Sequence, residues 1–401
     1  GTLVLASERH WIPTQRVDPG KAARTWAQRQ QTDRLVLDDG SSRQWPQPLP
    51  WPPGAGVVRA GDQVASLEGV LDYRFKTWRI QPVGAVQFRA DNPRPAVLPK
   101  PARDVLRVAS VNLQNFFNGD GRGQGFPTAR GAEDLAGFRL QSARLRAMLQ
   151  ALNADVIALM ELENDGDGPL SSQQALLNLL GEPWRGVPVG DARLGRDEIR
   201  VGLIYRQDRV ERVGSPMVLN KGAFAARNRP VLIQQVRLRG QGGGYTLAVN
   251  HFKSRLCRGA KGKEQDAGDG QGCWNPTRSQ AAQALVDTFA SANGPVLILG
   301  DLNAYAREQP LQILYKAGYT NLVTQALGES TPTYVYQGAA GALDHLLGNS
   351  ASLTHIQAVH RFAANADEAP PSRAALDTPA YREQPWRASD HDPLVVDLAP
   401  P

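Results

Sequence analysis

Val296-Leu297-Ile298-Leu299-Gly300-Asp301-Leu302-Asn303 passes without a break from four large apolar residues into a glycine, an acid and an amide. Apolar residues in succession, without alternation, describe a strand buried on both faces. Polar residues just past the end of such a strand sit on a loop edge that a rigid sheet holds in place. Comparable patterns recur elsewhere in the chain. The strand predicted at 105–111 runs into Ser110-Val-Asn-Leu-Gln-Asn115, and that at 156–162 ends in Met160-Glu-Leu-Glu-Asn164. A strand at 245–250 ends in Val249-Asn-His-Phe-Lys253, and one at 343–347 contains Leu343-Asp-His345. The last, at 394–398, is preceded by Ser389-Asp-His-Asp392. One such Glu or His is more often a solvated turn residue or a satisfied structural one. Several together describe loops that converge on a single crevice, where active sites gather.

Helices separate these strands. Leu135, Phe138, Leu145, Met148, Leu149 and Leu152 share one helical face over 135–152. A helix over 171–180 has Ser171 or Ser172 as its cap, and another spans 277–292. Further strands are predicted at 201–205 and 231–238, and hairpin-like strand pairs interrupt the alternation. Mixed sheets covered by outer helices fit that pattern, and the fold class is α/β. No internal repeat is evident.

With 401 residues, the chain is long enough for two or three domains, and 41% hydrophobic residues suffice for a sizeable core. No apolar run approaches the roughly 18 residues of a membrane span. The chain begins at Gly1 without a basic-then-apolar leader, as expected if a leader was removed or the sequence was trimmed. A net charge of +6 eases approach to a polyanion, although solubility alone would also account for it. The only cysteines, Cys257 and Cys273, lie in one Gly- and Asp-rich loop. They suit a disulfide better than a metal site, which points to an oxidising compartment; two reduced thiols of a cytosolic loop are the alternative.

The first hundred residues differ in texture. They hold Trp11, Trp26, Trp45, Trp51 and Trp78, a proline cluster at 46–53, short strand-like runs and one candidate helix at 21–31. They end in Asn92-Pro-Arg-Pro-Ala-Val-Leu-Pro-Lys-Pro101, read as an extended linker. The expected organisation is a small all-β domain over 1–91, a Pro-rich linker over 92–103 and a catalytic domain over 104–401. Gly119-Asp-Gly-Arg-Gly-Gln-Gly125 lacks the Lys-Ser/Thr of a phosphate cradle and reads as a flexible insertion.

In order and spacing, the strand-end motifs resemble the endonuclease/exonuclease/phosphatase superfamily of DNase I-like proteins, over about 105–398. Gly300-Asp-Leu-Asn303 and Ser389-Asp-His391 carry the likeness most specifically, with Met160-Glu161 and Asn250-His251 in support. Ile199-Arg-Val-Gly-Leu-Ile-Tyr205, Asn250-His-Phe-Lys-Ser254, the Cys257…Cys273-Trp274 loop with Gly268-Asp-Gly-Gln-Gly272, and Ala342-Leu-Asp-His345 resemble large extracellular bacterial nucleases. The resemblance implies a four-layer α/β sandwich, two mixed sheets flanked by helices, preceded by a small OB-like β-barrel. Leu67-Glu-Gly-Val-Leu-Asp-Tyr-Arg74 and Trp78-Arg-Ile-Gln-Pro82 carry the barrel likeness. Arg74, Lys76, Trp78 and Arg79 would suit stacking of single-stranded bases; a buried Trp in a scaffolding barrel is the equal alternative.

Residue by residue, the resemblance assigns Glu161 to a Mg²⁺ ion, with Mn²⁺ as a substitute, and Asn112 and Asp390 to the rest of its shell. Asp301 falls where the family's water-orienting carboxylate lies, and Asn303 would donate to the scissile phosphate. His251 and His391 would flank that phosphate. Asp344 would accept from the far nitrogen of His391. Asp197 or Glu198 lies in the region expected for the partner of His251, and spacing does not choose between them. His345 should face the other side of its strand. Lys253, Arg200 and Arg278 are candidates for phosphate or DNA contact, against the alternative of solvated charges. Tyr305 and Tyr336 are positioned to line a cleft. Asp266 and Asp269 could hold a structural Ca²⁺, although the twelve-residue loop pattern with a terminal Glu is absent.

The expectation is therefore a secreted or periplasmic metal-dependent nuclease of low sequence specificity, acting on double- or single-stranded DNA, with RNA a further candidate. Cleavage would leave 5′-phosphate ends, with neither a membrane nor an obligate protein partner involved. A lipid or inositol phosphate phosphodiesterase or phosphatase of the same fold is the alternative. A binding module without catalysis fits worst, having little reason to retain every residue type of the family's site.

Overall fold

A computed structural model describes residues 2–42, 57–190 and 193–401; Trp45, Trp51 and the prolines of 46–53 lie outside the described residues. The amino-terminal strands are β1 (Thr2–Leu5), β2 (Leu35–Asp38), β3 (Gln63–Val64), β4 (Gly69–Arg74), β5 (Thr77–Pro82) and β6 (Phe88–Arg89), with helices α1 (Pro13–Arg16) and α2 (Lys21–Thr32). The larger part begins with β7 (Leu106–Phe116), α3 (Leu135–Ala151), β8 (Val156–Glu163), α4 (Ser172–Leu180), β9 (Trp184–Gly186) and β10 (Ile199–Arg206). It continues through β11 (Val210–Leu219), β12 (Val231–Leu238), β13 (Tyr245–His251), α5 (Asn275–Phe289), β14 (Val296–Asp301) and α6 (Gln309–Lys316). It closes with β15 (Thr320–Asn321), α7 (Leu322–Leu327), β16 (Tyr334–Tyr336), β17 (Ala339–Gly341), β18 (Asp344–Gly348), β19 (Ile356–Arg361) and β20 (Leu394–Leu398).

Two six-stranded sheets follow, ordered β19-β20-β7-β8-β10-β9 and β11-β12-β13-β14-β18-β15. The two-residue period of a strand decides what each face meets. On β7 and β8, Leu106, Val108, Val156, Ala158 and Met160 join Leu247, Val249, Leu297 and Leu299 of the other sheet in one shared core. The alternate residues Ala109, Val111, Leu113, Ile157 and Leu159 pack under α3 and α4. Ala248 and Ile298 pack with residues of α5 and α6 on the far side of the second sheet. Each fully buried Leu, Ile or Val contributes about 1.5–3 kcal/mol. The strands are apolar on both faces because helix covers one and sheet the other, and the result is the four-layer α/β sandwich.

Local signals start the helices. Asp134 caps α3 by accepting from Gly137 N at 2.8 Å, and Ser171, rather than Ser172, caps α4. The Cys257–Cys273 disulfide is formed, with Cα atoms 5.0 Å apart. Among the described residues no helix is long and apolar enough to cross a membrane.

The amino-terminal part departs from expectation. Among the described residues it is an open, mixed sheet ordered β1-β2-β5-β4 with a separate β3–β6 ladder, not a closed barrel. The 10–32 segment lies between its first two strands and leaves the sheet for the larger part. Ile12 N donates to Ala340 O and Ala340 N to His10 O, so this segment pairs with the edge of β17. Thr14 Oγ1 donates to buried Glu308 at 2.6 Å. The proline-rich stretch is extended but is not a free spacer. Asn92 donates to Asp367, Arg94 forks onto Glu368 at 2.7 and 2.8 Å, and Leu98 N donates to Ala151 O. Proline removes donors from such a strap, so its side chains and its remaining amides carry the attachment.

Candidate active site

Register brings the polar strand ends together. His251 on β13 is the direct partner of Asp301 on β14, and Asp301 that of Asp344 on β18. Counting in twos from Leu247–Val249 and Leu297–Leu299, His251 and Asp301 continue the face that meets the other sheet. Asn112 continues the matching face of β7 after Leu106 and Val108, opposite Met160 of β8. The site therefore sits where the inter-sheet core opens at one end.

The backbone is unusual there. Between Asn112 and Phe116 the β7–β8 register slips, leaving three residues against Glu161. Gln114, Asn115 and Glu161 have φ of 54°, 55° and 62°, and Asn303 has 47°. Left-handed backbone at non-glycine residues is costly and concentrates at functional positions. The bulge turns Asn115 N toward Glu161 Oε2, 2.9 Å away.

His391 Nδ1 lies 2.7 Å from Asp344 Oδ2. Burial pulls the imidazole's pKa down, but the carboxylates of Asp344 and Asp390 outweigh it and hold His391 well above its ordinary value. His251 is the opposite case: burial, then Arg229 and His391, push it well below the ordinary value. Its Nε2 lies 3.4 Å from Asp301 Oδ2. Neither residue proposed as its partner takes that place. Asp197 pairs with Arg229 and Arg130, and Glu198 with Arg193. Asp301 also accepts from Asn303 N at 2.8 Å and approaches Asn112 Nδ2 at 3.4 Å; burial raises its pKa to about 7. One crevice thus contains a histidine whose surroundings favour the imidazolium and one whose surroundings disfavour it.

Asn303 donates its side-chain amide to Phe252 O at 3.2 Å. His345 is fully buried on the other side of β18, 2.9 Å from Ala304 O. Arg200 and Arg278 do not face the crevice. Both are buried: Arg200 binds Asp167 and Gly166 O, and Arg278 binds Cys273 O and Gln271 O, so each ties loops together from inside. Lys253 is partly exposed beside Trp274. Tyr305 is buried under Arg255, whereas Tyr336 is exposed. Asp266 accepts from Gly268 N and Asp269 from Gln271, as turn residues do. Trp78 is half exposed, with Tyr73 edge-on at 5.1 Å.

Three further residues complete the site. Arg229 is buried, donates to Phe252 O at 2.7 Å, and draws the pKa values of both Glu161 and His251 downward. Thr333 Oγ1 accepts from Leu343 N and Asp344 N, while Thr333 O accepts from Asp392 N, so one residue steadies both ends of the Asp344–His391 pair. The ring of Tyr334 lies against His391, centroids 4.6 Å apart. Arg229 had a local signal, standing before a strand in Arg227-Asn-Arg229-Pro; Thr333 and Tyr334 had none.

Among the described residues no group of three or more His, Cys, Asp or Glu is arranged to hold a metal. The residues assigned to Mg²⁺ include only two of those types. Burial, then Asp390, push Glu161 up, and its hydrogen-bond donors are the neutral Asn115 and Asn112. The carboxylates of Glu161 and Asp390 are hard oxygens that fit an ion retaining several waters; Asn112 turns its amide oxygen to Gln114 N and its Nδ2 toward Asp301, so it would join the shell through water.

Sheets, layers and strand-end chemistry together define a hydrolase of the DNase I-like class. The chain belongs to the Endonuclease/Exonuclease/phosphatase family, whose model matches residues 109–391. Enzymes of this family typically hydrolyse phosphodiester bonds and generally use divalent metals such as Mg²⁺. No curated protein matches the chain. Among solved structures, the human Nocturnin catalytic domain with bound sulfate is 16% identical, with TM-score 0.47, covering 75% of this chain and 95% of its own. A Bacteroides vulgatus endonuclease/exonuclease/phosphatase is 13% identical, with TM-score 0.49 and coverages of 73% and 98%. D. rerio TDP2 complexed with single-strand DNA product is 14% identical, with TM-score 0.44 and coverages of 73% and 98%.

Proposed function

We propose that this protein is a secreted nuclease, dependent on a divalent metal, that hydrolyses DNA with low sequence specificity and leaves 5′-phosphate ends. The observation that carries the reading is the convergence of two histidine–carboxylate pairs, His391–Asp344 at 2.7 Å and His251–Asp301 at 3.4 Å, on adjacent strand ends beside Glu161. His391, held as imidazolium by Asp344, donates to a phosphoryl oxygen as negative charge gathers there. Neutral His251 and the Asn303 amide orient the same phosphate. Asp301, as carboxylate, accepts a proton from the attacking water. The water oxygen bonds to phosphorus in line, the bond from phosphorus to the 3′-oxygen breaks, and that oxygen takes a proton from solvent. Glu161 and Asp390, with Asn112 in the outer part of the shell, would hold Mg²⁺, which would neutralise charge on the phosphoryl oxygens. The disulfide supports an oxidising compartment, and the +6 charge supports a polyanionic substrate.

The test incubates the protein with supercoiled plasmid and, separately, with sphingomyelin or an inositol phosphate, in Mg²⁺ or in EDTA. Plasmid nicking that EDTA abolishes is expected. Lipid or inositol phosphate turnover without nicking overturns the reading, as does cleavage that survives EDTA.

A further inference from the structure

Beside His251 the structure concentrates positive charge beyond what one phosphate needs. The guanidinium of Arg227 and the ammonium of Lys253 both lie over the ring of Trp274, at 5.1 and 5.4 Å from its centroid. Arg130 and Arg229 share Asp197, each at 2.9 Å. Burial, and then Arg229, Arg227 and Arg130 against the single carboxylate of Asp197, act on Lys253, so these three guanidinium groups and the Lys253 ammonium are neighbours. Arg229 and Lys253 also act on His251, so the cluster adjoins the candidate active site. Arg227 and Arg130 are exposed, whereas Arg229 is buried and committed to Phe252 O and Asp197. Trp274 is buried, with a left-handed backbone at φ 62°, where the disulfide loop meets α5, and its ring lies beneath both cations.

We propose that Arg227, Lys253 and Arg130 form a second phosphate subsite, which takes a nucleic-acid backbone phosphate next to the scissile one. The inference rests on the nuclease reading and deepens it: the preferred substrate is a strand with successive phosphates, not an isolated phosphodiester. The Asp197 carboxylate balances only one of these cations, and the positive charge left over, beside a low-dielectric wall, favours a further anion. A strand's neighbouring phosphate supplies that anion while its scissile phosphate lies at His251 and His391.

Arg227→Ala and Arg130→Ala, both at exposed positions, test the subsite on two substrates: oligodeoxynucleotide, and bis(4-nitrophenyl) phosphate, which has one phosphate and no neighbours. The ratio of kcat/KM for the oligonucleotide to that for the small diester falls about tenfold in either variant. The slope of log binding constant against log salt, measured by anisotropy on the oligonucleotide in EDTA, becomes shallower by about one per residue removed. Ratio and slope both unchanged overturn the subsite. Turnover of the small diester without any DNA cleavage defeats the nuclease reading; the salt slope then decides the subsite by itself, an unchanged slope overturning it.

Discussion

Gln15 Oε1 accepts the backbone N–H of Ala342 at 3.1 Å, across 327 residues of sequence. Ala342 stands two residues before Asp344, the partner of His391, and both ends of the bond are buried. The amino-terminal segment therefore braces the strand that presents the dyad. Gln15→Ala leaves a buried N–H unsatisfied, which costs about 1–3 kcal/mol. The expected result is a lower urea midpoint with an unchanged m-value; a midpoint equal to wild type would show that the brace carries no stability.

His391→Ala and His251→Ala should each lower the plasmid cleavage rate by about 10²–10³-fold or more, and Asn303→Ala by less. Circular dichroism spectra should match wild type. Near-normal cleavage by His391→Ala would refute this placement of the site.

Tyr334 stacks on His391, an arrangement worth about 0.5–1.5 kcal/mol. Tyr334→Phe keeps the ring and should keep the rate, whereas Tyr334→Leu should lower kcat several-fold and leave KM in place. Equal rates in the two variants would mean that the ring does not steady the imidazole.

Burial raises Asp301 to about 7 in the fold, against about 3.9 in an unfolded chain. The folded state therefore binds a proton that the unfolded state has lost between those values, and stability falls as pH rises through that window. In EDTA, wild type should lose more of its melting temperature between pH 4 and pH 7 than Asp301→Asn does. The same variant should be inactive, since an amide cannot accept the proton of water. A parallel pH dependence of melting in the two proteins would contradict the raised value.

The disulfide closes a loop with a sequence separation of 16, worth about 3 kcal/mol by loop-closure entropy. Reduction, or Cys257→Ser with Cys273→Ser, should lower the melting temperature. Non-reducing mass spectrometry should recover the two cysteines in one linked peptide, and free thiols in freshly secreted protein would count against secretion through an oxidising compartment.

Much of this molecule was legible in one dimension. Apolar runs such as Val156–Leu159 announce strands covered on both faces, and caps such as Asp134 and Ser171 start helices, because both depend on neighbours along the chain. Polar residues at the ends of those strands marked the crevice, with Glu161, His251, Asp301, Asp344 and His391 among them. Asp344 behind His391 was anticipated by the resemblance; the lowered pKa of His251 was not legible, since it depends on burial and on Arg229 arriving from a distant element. Nor was the burial of Arg200 and Arg278, whose carbonyl partners lie on loops that fold back over them. The amino-terminal segment read as a separate barrel because its attachment runs through Gln15, Thr14, Arg94 and single backbone pairs, none of which has a periodic signature. Periodicity along a chain decides which face of an element is apolar; only packing decides what stands opposite that face, and with it the charge and reach of every side chain in the site.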